Sequence, residues 1–149
     1  MFWQKPTTTT ITRPDRDRLV EVTRARANLL SWAIFIDNLR RELERARVVN
    51  TSRVSPRVVT MHSKVQLLDL TRDRRQVFTL VYPQEADLSA GKLSVLSAMG
   101  TALLGARTGD IVEVLGAAGP RAIKVEAVLY QPEAAERIQS RVADMEAVS

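Results

Sequence analysis

The chain has no cysteine and a single histidine among its 149 residues. The first absence excludes disulfides, thiol nucleophiles and cysteine-built zinc sites, and it fits a reducing compartment. The second leaves His62 without a histidine partner for a paired metal site, and no serine–histidine–carboxylate triad can be built on it. His62 reads as a structural or surface residue. Aromatic residues make up only 5% of the chain, too few to line a large aromatic pocket, although 45% hydrophobic content suffices for a core. No stretch reaches the roughly 18 consecutive apolar residues of a membrane helix. Met1–Pro6 also lacks the apolar region of a secretory signal. The expectation is a cytoplasmic, non-enzymatic protein with no catalytic residues, cofactor or metal. Glycine is also scarce. Gly105 and Gly109 are spaced GxxxG with no following Lys-Ser/Thr, so they form a helix stop and a turn, not a phosphate loop.

Charge is present, and it is unevenly spread. The net charge is +5, from 22 basic and 17 acidic side chains. Met1 to Arg57 holds 12 Lys/Arg against 6 Asp/Glu, whereas Val58 to Ser149 holds 10 against 11. The excess positive charge therefore lies in the first third, which suits an acidic partner, either nucleic acid or an acidic protein surface.

After a threonine run at Thr7–Thr10, read as a leader or an extended segment, Thr12-Arg13-Pro14-Asp15-Arg16-Asp17 carries helix-start chemistry. Thr12 or Arg13 is the cap, Pro14 sits where its missing N–H costs nothing, and two aspartates face the positive end of the helix dipole. Leu19, Val22 and Leu29 recur at helical spacing with Ala25 between them, and Arg26 interrupts the seam. A second helix is expected over Ala33–Val48, with Ile36, Leu39, Leu43 and Ala46 on one face and an i,i+4 ion pair between Asp37 and Arg41. The link at Asn28–Trp32 folds the two helices back antiparallel. At about 16 residues each, they make a hairpin roughly 24 Å long. The basic residues Arg40, Arg41, Arg45 and Arg47, with Arg24 and Arg26, allow three readings: a solvated helix face, contact with an acidic protein, or direct phosphate binding.

Asn50–Pro56 is a turn-rich linker, beyond which the period changes. Val58–Met61 and Lys64–Leu70 read as extended, Thr71–Arg74 as a turn, and Gln76–Tyr82 as a strand ending at Pro83, followed by a loop at Gln84–Gly91. Leu93 to Val112 then reads strand, serine-capped short helix, glycine stop, glycine turn, strand. Ser97 caps a helix at Ala98–Leu104. A strand at Asp110–Leu115, a turn at Gly116–Pro120, a strand at Arg121–Tyr130 and an amphipathic helix at Pro132–Val148 complete the chain. The fold class is α+β. A short antiparallel helical hairpin (residues 1–52) precedes an antiparallel sheet with one short helix and an added C-terminal helix (residues 53–149).

Several blocks carry a resemblance: Val58–Val65, Leu80–Pro83, Leu93–Val95, Gly100–Gly105 and Tyr130–Ala135. They resemble the C-terminal domain of the bacterial Gre transcript-cleavage factors, and more closely their short relatives, the regulator-of-nucleoside-diphosphate-kinase family (Rnk). His62 and Lys64 stand where that family typically has asparagine and arginine. The resemblance implies a short coiled coil joined to an FK506-binding-protein-like domain. It also implies binding to RNA polymerase at the rim of the secondary channel, mainly through the second domain. The contact residues expected there are Ser97, Ala98, Met99, Thr101 and Leu104, and a role for Ser97 as a helix cap alone is the alternative. Gre factors carry paired carboxylates at the tip of a longer hairpin, which help hold a catalytic magnesium. Here the tip, Ala27-Asn28-Leu29-Leu30-Ser31-Trp32-Ala33, has none, and the nearest acids, Glu21 and Asp37, lie down separate arms. A metal-holding role needs oxygen ligands at the tip, so no stimulation of transcript cleavage is expected. The tip residues Leu29, Leu30, Ser31 and Trp32, with Phe35, either pack the hairpin end or touch the polymerase. Proline isomerisation is not expected, because Phe78, Tyr82 and Tyr130 are the only aromatics of the second domain. The leading expectation is a monomeric, non-catalytic polymerase-binding regulator that competes with Gre-type factors. The alternative is a small nucleic-acid-binding module using the arginine-rich helices.

Overall fold

Thr12 turns the chain from strand to helix. A computed structural model describes residues 9–27, 29–116 and 118–148, and within it β1 (Thr10–Thr12) runs directly into α1 (Arg13–Ala25). The Thr12 hydroxyl accepts the amide of Asp15 at 3.3 Å, and Pro14 occupies the first turn, so the expected start chemistry operates. After a short 3-10 turn (Leu30–Trp32), α2 (Ala33–Arg45) packs against α1. Met1–Thr8, Asn28, Ala117 and Ser149, which figured in the leader, tip, turn and second-domain expectations, lie outside the described residues.

Each hairpin helix has 13 residues, not about 16, giving an arm of about 20 Å. The shortening comes at Ala46, whose φ of −71° and ψ of 143° are extended. Arg47–Val49 then form β2, which pairs in parallel with β1 (Thr10↔Arg47, Thr12↔Val49). The Arg47 amide donates to Thr9 O at 2.7 Å. The two β-branched residues Val48 and Val49 suit an extended backbone, and a partner strand brought from 37 residues upstream overrides the helical periodicity. Arg47 is therefore not on the helical basic face.

The main sheet contains β3 (Lys64–Asp69), β4 (Arg74–Val81), β5 (Lys92–Ser94), β6 (Ile111–Gly116) and β7 (Gly119–Tyr130), in the order β5-β4-β3-β7-β6. It is mixed and not purely antiparallel, since β5 pairs with β4 in parallel (Leu80↔Leu93). The segment Pro83–Gly91, expected as a plain loop, contains two 3-10 turns (Pro83–Glu85 and Leu88–Ala90) that reverse the chain for this pairing. Val58–Met61 forms no strand, only an isolated bridge between Val58 and Arg107. The short helix α3 (Ala98–Leu103) and the long C-terminal α4 (Pro132–Val148) occupy the expected segments.

Alternation in the strands sends Val65 and Leu67 of β3, Val112 and Val114 of β6, and Ile123 and Val125 of β7 to one buried face. Leu103 and Leu104 pack on that face, and so do Ile11 of β1, Leu19 of α1 and Leu39 of α2. The hairpin is thus packed on the same core as the sheet along its length, from Ile11 through Leu19 and Leu39. Burying a leucine side chain contributes about 2–3 kcal/mol, so Leu19 and Leu39, midway along their helices, fix the hairpin to the body, and at its distal turn Leu30 stays exposed while Trp32 packs against the core.

Candidate functional site

The distal turn is held by local bonds. Leu29 N–H donates to Arg26 O at 3.0 Å and Trp32 N–H to Leu29 O at 2.9 Å. The Trp32 ring meets Phe35 edge-on at 6.2 Å, and the Arg26 guanidinium lies over it at 5.7 Å. Trp32 is consequently half-buried and packs the hairpin end, whereas Leu30 is 93% exposed, with Leu29 and Ile34 also outward. No carboxylate occupies residues 27–33. Glu21 is engaged by Arg24 at 2.7 Å and Asp37 by Arg41 at 2.8 Å, each on the side of its own helix. Among the described residues no group of three His, Cys, Asp or Glu side chains could hold a metal ion.

The second expected surface is the turn leading into α3. Ser97 Oγ accepts the amide of Gly100 at 3.0 Å and donates to Ser94 O at 2.7 Å. Thr101 Oγ1 donates to Val95 O at 2.6 Å. A Cβ at Gly100 would lie 2.0 Å from Ser94 O, so only glycine permits this close approach of helix and strand end. The same packing corrects the surface expected here. Thr101 is 6% and Leu104 1% exposed, so neither side chain faces outward; both are needed to seat α3 on the sheet. Ala98 is exposed and Ser97 and Met99 are half-buried, which leaves the helix start as the outward part.

Finger and body also meet through polar groups that the sequence pattern did not single out. Asp15 Oδ2 accepts the amide of Met61 at 3.1 Å across the joint. Burial, with Glu133 nearby, pushes its carboxyl up to about 6 against the bond from Met61. Arg18 stacks on the buried Tyr82 ring at 4.3 Å. His62, in a left-handed turn at φ 66°, approaches the Glu85 carboxylate at 2.9 Å and meets Tyr82 edge-on. That bond from His62 holds the Glu85 carboxyl below its usual range. Thr60 Oγ1 donates to Glu133 Oε1 at 2.5 Å, tying the start of α4 to the same turn. Gln131 and Arg137 complete the anchorage by donating to carbonyls of Ser55 and Val58, and of Thr51 and Val54. Asp15 reads in the sequence as a partner for the helix dipole; its long-range bond to Met61 has no local signature.

Of the basic residues, Arg41 and Arg45 are committed to Asp37 and Glu42, and Arg40 is exposed on α2. Arg47 is on β2. The four do not form one continuous face, which disfavours the hairpin as a phosphate-tracking surface.

Comparison with known proteins agrees with this architecture. Residues 54–130 match the family described as "Transcription elongation factor, GreA/GreB, C-term". The "Regulator of nucleoside diphosphate kinase" of Escherichia coli K12 is 40% identical over 101 residues, covering 66% of this chain and 74% of that protein. The "Transcription elongation factor GreA" of Bartonella henselae is 34% identical over 95 residues, 64% of this chain, and the match spans only 60% of that relative's length. A solved structure, "Prokaryotic transcription elongation factor GreA/GreB from Nitrosomonas europaea", superposes with a TM-score of 0.67 at 34% identity, over 83% of this chain and 99% of that one. The chain belongs to the GreA/GreB transcription elongation factor C-terminal family, with regulators of nucleoside diphosphate kinase among its relatives.

Proposed function

We propose that this chain is a non-enzymatic regulator that binds bacterial RNA polymerase near the secondary channel and competes there with Gre-type factors, without stimulating transcript cleavage. The observation that carries the reading is the hairpin: helices of about 20 Å, packed on the core midway along by Leu19 and Leu39, whose turn presents Leu29, Leu30 and Ser31 with no carboxylate. Cleavage stimulation requires oxygen ligands delivered to a metal at the polymerase centre, and Glu21 and Asp37 are held by arginines down the arms. The division of labour is a finger in residues 1–52 and a docking body in residues 53–149, of FK506-binding-protein-like character. Docking uses the start of α3, at Ser97, Ala98 and Met99, the outward part of that surface. Leu30 faces the partner, while Trp32 braces the tip.

The test uses stalled elongation complexes. The chain is expected to bind core polymerase as a monomer, to displace a Gre factor and to leave the RNA length unchanged. Shortened RNA on addition of the chain alone would overturn the non-cleaving assignment. Failure to bind core polymerase at physiological salt would overturn the docking.

A further inference from the structure

Four arginines remote in sequence meet at one cleft away from both the tip and the α3 turn. Arg13 comes from the first turn of α1, Arg47 from β2, Arg53 from the linker turn closed by its amide on Asn50 O at 3.0 Å, and Arg107 from the segment after α3. The β1–β2 pairing, with Thr10 opposite Arg47, and the Val58–Arg107 bridge bring them together. The cleft encloses about 310 Å³, with Asn50 and Ser55 as further polar lining, Val54 and Val58 at its wall, and no Asp or Glu.

Six arginines elsewhere are neutralised. Arg16, Arg24, Arg41, Arg45, Arg75 and Arg121 each have a carboxylate within ion-pair distance. Among the described residues, none of the four cleft arginines has one. Like charges lining one cleft repel one another when closer than a Debye length, roughly 8 Å, and no carboxylate is among the residues that line this one. Guanidinium groups offer planar donor pairs that match phosphate oxygens bidentately. The lining also contains no aromatic ring or histidine, so nothing is present on which a base could stack. A volume near the lower end of the roughly 300–1,000 Å³ range of small-molecule sites suits a compact anion better than a strand.

We propose that this cleft is a binding site for the diphosphate or triphosphate group of a small molecule, read through its phosphates and not through any attached base. The site is independent of polymerase docking, and the full chain alone should show it.

The probe is inorganic pyrophosphate, titrated calorimetrically at constant ionic strength beside orthophosphate, sulfate, ADP, ATP, GTP and an oligouridylate. Pyrophosphate should bind at least tenfold more tightly than orthophosphate or sulfate, and ATP and GTP should bind equally. Arg53→Ala and Arg107→Ala each alter an exposed side chain and should weaken pyrophosphate binding about tenfold, while Arg40→Ala on α2 leaves it unchanged. If a variant loses its fold by circular dichroism, amide shifts in the unaltered chain decide instead: on pyrophosphate addition they should concentrate at Asn50, Arg53 and Arg107. Absence of binding at millimolar pyrophosphate, shifts centred elsewhere, or tighter binding of the oligouridylate than of pyrophosphate would overturn the proposal.

Discussion

Gly105 and Thr10 meet backbone to backbone at the joint between finger and body. Thr10 N–H donates to Gly105 O at 3.3 Å, and a Cβ on residue 105 would lie 2.9 Å from both the nitrogen and the oxygen of Thr10 and 2.3 Å from Thr9 Cγ2. Gly105 also has φ +75°, a left-handed conformation that L side chains rarely adopt. One residue thus ends α3 and admits β1 across it.

Gly105→Ala should therefore destabilise the chain by more than the roughly 1–3 kcal/mol of backbone strain alone, because β1 must also shift. Gly109→Ala shares the positive φ, at +97°, but its Cβ would meet nothing within 4 Å. It should cost strain only. Urea unfolding of the two variants checks the difference; equal losses would show that the β1 crossing is not the constraint described.

Asp15 sets a pH dependence with a defined sign. Its carboxyl titrates at about 6 in the fold against an ordinary value of 3.8. The folded chain then binds the proton more tightly than the unfolded one, so this group's contribution falls as pH rises through that window and stays unfavourable above it. The difference approaches about 3 kcal/mol. Asp15→Asn should be more stable than the parent at pH 7.5, and the gap should close by pH 4. Thermal melts across this range measure it, and a gap that widens towards acid would contradict the assignment.

Asp69 shows the opposite arrangement. Burial would raise its carboxyl, but Arg121 at 2.6 Å and the amides of Arg72 and Thr71 outweigh that and hold it below the usual range. Arg121→Ala leaves a buried carboxylate without its cation and should cost about 3 kcal/mol. Asp69→Ala should cost at least as much, because it also frees the two turn amides. Denaturant titration of both variants, with the double variant to give the coupling energy, tests the ranking.

The finger separates stability from binding. Leu39→Ala removes a fully buried side chain midway along α2 and should cost about 2–5 kcal/mol. Leu30→Asp alters a side chain in open solvent and should change stability by under about 0.5 kcal/mol. If the tip touches the polymerase, Leu30→Asp should nevertheless weaken binding about tenfold, equivalent to about 1.4 kcal/mol. Fluorescence anisotropy with core polymerase reads this, and unchanged affinity would remove Leu30 from the interface.

What the sequence made legible were local relations. Ser97 capping Gly100, Asp37 pairing with Arg41 one turn away, and the span of α4 all follow from spacing within a few residues. The relations that escaped are non-local. Ala46 continues a helical periodicity, but Arg47–Val49 leave the helix to pair with Thr10–Thr12, a choice made by tertiary hydrogen bonding. Leu93 reads as a strand in either direction; its parallel pairing with Leu80 depends on two 3-10 turns in a segment that looks featureless. Thr101 and Leu104 belong to the motif that carries the resemblance, yet that motif is shaped by the packing of α3, which buries both. The arginine cleft was illegible for the same reason, since Arg13 and Arg107 become neighbours only after β1 crosses Gly105.

The central claim is tested most directly by adding the full chain to stalled elongation complexes that contain a labelled Gre factor, and following Gre release and RNA length together. Release of the Gre factor with suppression of RNA shortening is the predicted result. Retention of the Gre factor at saturating chain, or RNA shortened by the chain in its absence, would contradict it.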